Sequence, residues 1–221
     1  MPGSGNKAVI WDMDGVIINT APYHLKAWQE VFLKSGVNFT EEQFRRSFGQ
    51  RNDTIIRSVL SEEVSLHEID SISAEKEENF RLKIRHNLRP LPGVIELMKS
   101  LAEHRFKMAL ASSAPMGNIR LLVRGLGIDK CFQSIISGED VSEGKPSPQV
   151  FLLAAEKLGV EPRRCVVIED AVAGVAAARR AGMRCVAVTN THPGTSLSEA
   201  DLVIDSLEAI TISDLDRILS T

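Results

Sequence analysis

Five short β-type runs punctuate the chain: Lys7 to Trp11, Phe106 to Ala111, Ser134 to Ser137, Cys165 to Ile168 and Arg184 to Val188. The clearest of them are continuously apolar, the pattern of strands covered on both faces, as in a parallel sheet. Three helical stripes lie among them, at the i, i+3, i+4, i+7 spacing of a half-buried helix: Val94, Leu97, Met98, Leu101; Ile119, Leu122, Val123, Leu126; and Phe151, Ala154, Ala155, Leu158. Punctuation agrees with the stripes. Pro92-Gly93 precedes the first, Gly127 and Gly159 follow the other two, and Pro146 and Pro148 open the third.

From about residue 89 onward strand and helix alternate, which predicts an α/β fold with an open, parallel-sheet, Rossmann-like core. Residues 19–87 break that alternation with helical patterns and no convincing strand. Thr20 followed by Pro22 reads as a helix start, with Leu25, Trp28 and Phe32 on one face and Gly36 at the end. Thr40-Glu41-Glu42-Gln43 has capping-box spacing, and a long polar helix is predicted from about Leu66 to His86. The expected organisation is a catalytic core of residues 1–18 and 88–221 with a helical cap domain, 19–87, inserted after the first strand. In an open α/β sheet ligands sit outside the carboxyl ends of the strands, so the insert is placed to cover that site. Met1 to Asn6, with Pro-Gly-Ser-Gly, reads as an unstructured lead or a cloning remnant.

With 221 residues, 43% hydrophobic, the chain is long enough to bury a sizeable core. The 26 basic against 29 acidic residues give a net charge of -3, which leaves no basic field for nucleic acid or an anionic membrane. The longest apolar run near the start is Ala8 to Trp11, far short of a bilayer span. Cys131, Cys165 and Cys185 are an odd number without a C-x-x-C pair, which fits neither a disulfide framework nor a zinc site and suits a reducing cytoplasm. Cys165 and Cys185 open buried-strand patterns, where cysteine acts as a small hydrophobe.

Candidate chemistry gathers at predicted strand ends. Trp11-Asp12-Met13-Asp14-Gly15-Val16 places two carboxylates one residue apart where the first strand stops. Like charges about 4 Å apart repel by roughly 4 kcal/mol at an effective dielectric near 20, so the pair calls for a cation or a shared proton. Cys165-Val166-Val167-Ile168-Glu169-Asp170 ends another strand in the same way. In a parallel sheet these ends meet at one edge, and four acids there form an oxygen-rich site suited to Mg²⁺. Ser112, after Met108 to Ala111, adds a hydroxyl, and Lys145, in Gly144-Lys145-Pro146, adds a positive charge. The plainer readings are a helix-capping serine and a solvated loop lysine.

The order D-x-D-G-V, then S after a second strand, then G-K-P, then E-D after another strand resembles the haloacid dehalogenase superfamily of phosphatases and phosphomutases. The resemblance covers the whole chain. It is nearest to the subgroup that holds β-phosphoglucomutase and the sugar-phosphate and phosphoglycolate phosphatases. It implies Asp12 as nucleophile, forming an aspartyl-phosphate and ionised at pH 7 without help, and Asp14 as general acid and base, its pKa raised by neighbouring acids. It also implies that Asp12, the Asp14 backbone carbonyl, Asp170 and Glu169 hold Mg²⁺, and that Ser112 and Lys145 bind the transferring phosphate oxygens.

Substrate choice would fall to the cap. Thr20, His24 and Trp28 match a stretch shared within the subgroup, and His24 is either a positioning group near Asp14 or a half-exposed helix histidine. Asn19 stands where an acid is usual. Arg51 falls one residue before the slot of a cap arginine that holds a distal phosphate in the mutases, and Asn52 occupies that slot. Lys76 matches a cap lysine of the subgroup, with a solvated helix lysine as the plain alternative. The expectation is a Mg²⁺-dependent phosphatase of a small phosphorylated metabolite, of the sugar phosphate or phosphoglycolate type, cytoplasmic and a monomer or weak dimer. The alternative is a sugar phosphomutase working through the same intermediate. A binding protein on a spent enzyme fold is disfavoured, because Asp12, Asp14, Lys145 and Asp170 are all present.

Overall fold

A computed structural model describes residues 7–221, so the expectation for Met1 to Asn6 lies outside the described residues. Six parallel strands make one sheet: β1 (Ala8–Trp11), β2 (Lys107–Ala111), β3 (Ser134–Ile136), β4 (Cys165–Glu169), β5 (Arg184–Val188) and β6 (Leu202–Ile204). Their order is β3-β2-β1-β4-β5-β6, so the chain winds outward on one side of β1 and then on the other. Between β1 and β4 the winding reverses. That reversal leaves a crevice at the carboxyl ends of the two central strands, the place where such sheets bind ligands.

The five predicted strands agree with the structure to within one residue at each end. The sixth, β6, three half-buried residues at a sheet edge, was not among them. Side chains of β1 alternate faces, sending Val9 and Trp11 into one apolar layer and Ala8 and Ile10 into the other.

Four helices follow β1 and make up the insert: α1 (Ala21–Lys34), α2 (Glu41–Ser47), α3 (Asn52–Val59) and α4 (Leu66–Ile84). The capping box expected at Thr40 is present, with Gln43 bonding back to the Thr40 backbone, and Ser65 and Glu68 form a second one. Trp28, Phe32, Phe39, Phe44 and Ile56 give this insert an apolar core of its own, with Trp28 and Phe32 stacked at 5.0 Å. The remaining helices clothe the sheet. The Val9 face is covered by α5 (Val94–Glu103), α6 (Met116–Gly125) and α9 (Ile212–Ser220), and the Ile10 face by α7 (Gln149–Leu158) and α8 (Val172–Arg180). The two connections of the insert lie side by side. Leu91 N–H donates to the Ile17 carbonyl at 2.8 Å, and Ile18 bridges Pro90.

Gly93 caps α5 at φ 81, and a Cβ there would stand 2.4 Å from the backbone nitrogen of Glu208. Both the left-handed backbone and the clash penalise any side chain. Gly93→Ala is therefore expected to cost about 2–4 kcal/mol. The check is a urea titration in which the midpoint falls while the slope is unchanged.

Candidate active site

Three carboxylates meet in the crevice. Asp12 follows β1, its N–H extending the ladder to the Ile168 carbonyl at 2.9 Å, while Glu169 ends β4 and Asp170 comes next. Each of the three offers an oxygen within 4.8 Å of the others, and all are buried. Lys145 reaches in from the loop before α7, its ammonium 2.5 Å from Asp12 Oδ1 and 2.6 Å from Glu169 Oε1. One buried ammonium faces three buried carboxylates. Burial above all, reinforced by Glu169 and Asp14, raises the Asp12 carboxyl to about 8 despite Lys145. Burial, then Glu169 and Asp12, pushes Asp170 up as well. Burial works against the Lys145 ammonium, yet Asp12 and Glu169 outweigh it and hold Lys145 protonated. Converging, under-compensated carboxylate oxygens are the donor set of a hard divalent cation, and these residues fit Mg²⁺.

The supports of the cluster are local. Glu169 Oε2 accepts from the N–H groups of Asp170 at 2.8 Å and Ala171 at 2.9 Å. Thr191 donates its hydroxyl to Asp170 Oδ2, and Asn190 Nδ2 donates to the Gly15 carbonyl at 2.8 Å. Gly15, at φ 81, passes so close that a Cβ would lie 1.9 Å from Asp170 Oδ2. Ser112 sits just past β2, buried, and its Oγ accepts from the Ala114 N–H at 3.0 Å, which leaves the hydroxyl proton free to donate elsewhere.

Asp14 faces the insert. Thr20 donates its hydroxyl to Asp14 Oδ1 at 2.6 Å, and His24 Nε2 lies 3.2 Å from the same oxygen. Thr20 is the N-cap of α1, in an αR backbone conformation, and its side chain makes no capping bond; its hydroxyl donates to Asp14 instead. His24 is buried and stacks on Phe80 at 3.8 Å. Lys76 Nζ lies 2.9 Å from His24 Nδ1. An ammonium only donates, so Nδ1 is the acceptor, the imidazole proton sits on Nε2, and it points at Asp14. Burial first, and Lys76 second, keep this histidine below its usual pKa and thus neutral. Lys76 is itself 3% exposed, 2.8 Å from Glu77 Oε1 and 4.8 Å from the Trp28 ring centroid.

Between insert and core lies a cavity lined by Asp14, His24, Asn52, Lys76 and Glu77, with Phe44, Phe48 and Ile55 on its apolar side. It is narrow and partly open to solvent. Arg51 donates to the carbonyls of Val141 at 2.8 Å and Ser142 at 3.2 Å, His192 Nε2 is 3.1 Å from the Arg45 carbonyl, and Arg81 donates to Asn118 Oδ1 at 3.0 Å.

The chain matches the family model of haloacid dehalogenase-like hydrolases over residues 6–182. It belongs to that family. It is 35% identical over 215 residues to Beta-phosphoglucomutase of Bacillus subtilis, covering 93% of this chain and 92% of that protein. It is 34% identical over 203 residues to Phosphorylated carbohydrates phosphatase of Thermotoga maritima, covering 89% of this chain and 92% of the relative. The crystal structure of beta-Phosphoglucomutase from Clostridium difficile superposes with a TM-score of 0.88 at 27% identity, over 97% of each chain. Like its relatives, this haloacid dehalogenase-like protein is an enzyme of the phosphatase and phosphomutase superfamily.

Several expectations need correction. Asp12 is not an ordinary ionised carboxyl: burial, with Glu169 and Asp14 beside it, outweighs Lys145 and raises it to about 8. Asp14 is not raised by its neighbours. Burial pushes its carboxyl up, but the His24 and Thr20 hydrogen bonds outweigh burial and hold it below the ordinary value. Lys145 and Lys76 are buried rather than solvated, and His24 is not half-exposed. Arg51 points to core carbonyls and does not line the cavity, whereas Asn52 does. The long helix read as polar buries Ile69, Phe80 and Ile84 together with Lys76 and Glu77. Burial also raises the Cys165 thiol to about 12, which suits an inert core cysteine.

Sequence reasoning missed Glu77, Asn118, Thr191 and His192. None carries a motif, and only the pairing of Lys76 with an adjacent acid hinted at Glu77. Glu77 accepts from Lys76, from Asn52 Nδ2 at 2.8 Å and from Asn118 Nδ2 at 2.5 Å. Burial opposes the charge, but Lys76, His24 and these donors pull the carboxyl from 4.5 down to about 2. Because its folded pKa is depressed, its contribution to stability is full above pH 4.5 and fades as pH falls toward 2. The expected loss is about 3 kcal/mol. Urea titrations at pH 5 and pH 3 will show a smaller drop in Glu77→Gln than in the parent.

Proposed function

We propose that this protein is a Mg²⁺-dependent phosphatase that hydrolyses a small phosphomonoester, of the sugar phosphate or phosphoglycolate type, through an aspartyl-phosphate on Asp12. In this reading residues 1–18 and 88–221 act as the catalytic core and 19–87 as a cap that opens to admit substrate, since the space between them is narrow. The connections Ile17 to Thr20 and Asn87 to Pro92 are its hinges. Asp12, Asp170, Glu169 and the Asp14 carbonyl hold the cation. When bound, Mg²⁺ offsets the repulsion between the Asp12 carboxylate and a phosphate dianion.

Each remaining step belongs to a residue of this chain. Asp12 Oδ attacks phosphorus in line with the ester oxygen. Ser112 and Lys145 donate to the equatorial oxygens, where charge spreads in the transition state. Asp14 protonates the departing oxygen, and the negative charge of the arriving phosphate raises its carboxyl for that task. After departure the Asp14 carboxylate, oriented by Thr20 and His24, takes a proton from the water that attacks the phosphoenzyme. No metal ligand beyond this set, no nucleic acid and no membrane enters the reading, and no helix among the described residues is long and apolar enough to cross a membrane.

The observation that favours hydrolysis over phosphoryl return is the engagement of the cap cations. A mutase must hold the non-reacting phosphate of a bisphosphate, a task suited to a bidentate arginine. Here Asn52 occupies that slot, Arg51 is spent on Val141 and Ser142, and Lys76 is spent on Glu77 and His24.

Two experiments test this. Asp12→Asn is expected to lower phosphate release on every substrate to below about one hundredth of the parent, as loss of a covalent nucleophile demands, and excess chelator is expected to stop turnover until Mg²⁺ is restored. Incubation with Mg²⁺ and β-glucose 1-phosphate, with and without a trace of the 1,6-bisphosphate, is expected to give inorganic phosphate as the main product. Glucose 6-phosphate forming faster than inorganic phosphate, and only with the bisphosphate, would overturn the phosphatase reading.

A further inference from the structure

The wall of the cavity that faces the leaving group carries a balanced charge. Lys76 is the one cation that lines it, and the Glu77 carboxylate sits 2.8 Å away, 5% exposed. Glu77 is fixed from both sides of the cleft: Asn52 and Lys76 come from the insert, while Asn118, on core helix α6 and fully buried, donates to Oε2. Asn118 is held in turn by Arg81. A side chain gripped by three donors cannot swing away when a ligand arrives. The neutral amides of Gln50 and Asn52 and the apolar surfaces of Phe44, Phe48 and Ile55 make up much of the rest of that wall.

We infer that Glu77 is a specificity residue, which cancels Lys76 so that the cavity takes an uncharged, hydroxylated leaving group and rejects a tail bearing a carboxylate or a second phosphate. The inference rests on the phosphomonoesterase reading of the site and narrows its substrate class. An anionic tail enters a water-poor space in which the only cation is already paired and a fixed carboxylate repels it. Coulomb repulsion grows as water is excluded, so the penalty is largest with the insert closed. A hydroxylated tail meets no such charge, and amides, which both donate and accept, suit its hydroxyls. Of the two substrate types proposed above, this favours the sugar phosphate over phosphoglycolate, whose leaving group carries a carboxylate.

Sorbitol 6-phosphate and 6-phosphogluconate test the idea, because these open-chain six-carbon phosphomonoesters differ in one end, a hydroxymethyl group against a carboxylate. The readout is the ratio of their kcat/KM values, measured by phosphate release. The parent is expected to prefer sorbitol 6-phosphate by at least about tenfold, and Glu77→Gln to shrink that preference about tenfold by lowering KM for the carboxylate-bearing ester. Gln50→Lys, outside the buried Glu77 network, adds a cation to the wall and is expected to shrink the preference by about threefold. Melting curves identify which variants are folded, and Gln50→Lys decides if Glu77→Gln is not. A parent ratio near one, or a ratio that stays within about twofold of the parent in the folded variants, would overturn the inference and leave the hydrolase reading intact. Equal loss on both substrates in Glu77→Gln would assign it a merely structural role and overturn the inference too. No phosphate release by the parent from either compound or from nitrophenyl phosphate would defeat the hydrolase reading, and the inference with it.

Discussion

Buried negative charge at the centre of the sheet is the constraint on which the rest of this structure depends. Asp12, Glu169 and Asp170 are drawn out of water at the point where the winding of the sheet reverses, with Lys145 as their one buried ammonium partner. Burying carboxylates this close is costly unless they are paired or coordinate a cation. The surrounding chain is organised to meet that cost. Backbone N–H groups after β4 hold Glu169, Thr191 holds Asp170, and Gly15 gives up a side chain so that the Asp170 carboxylate fits against it. The charge deficit that remains fits the cluster to hold a cation, and it also gives Lys145 two acids to bridge.

The same electrostatics organise the insert. Glu77, Lys76, His24 and Asp14 form a line of alternating partners that runs from the insert to the strand end. Along it, Lys76 donates to Glu77 Oε1 and to His24 Nδ1, and His24 therefore presents Nε2–H to Asp14. This line joins the two parts, since Asp14 follows β1 and the other three residues lie on α1 and α4. Arg51, His192 and Asn118 hold the two parts together at separate points around the cleft.

Most of the fold was legible in the chain because its signals are local. A central parallel strand must be apolar on both faces, so β1, β2, β4 and β5 appear as runs, and their carboxyl ends coincide with Asp12, Ser112, Glu169 and Val188. Capping residues and glycines are read over three or four positions, which is why Thr40 and Gly93 were found. The paired acids were legible for the same reason: two carboxylates at the end of an apolar strand are conspicuous whatever surrounds them. The edge strand β6 and helix α9 were not read from the chain.

What the sequence determined by itself was therefore the α/β class, the helical insert and the residue types of the core site. Tertiary structure alone decided which charges are matched. Lys76 and Glu77 look like any solvated pair on a polar helix until α4 is packed with that face inward, against Trp28, Phe80 and Asn118. Arg51 and Asn52 are neighbours in the chain, yet one turns to the core carbonyls and the other to the cavity. Desolvation and the distance between charges set the pKa of Asp12, Asp14 and Glu77, and neither quantity exists until distant segments are brought together.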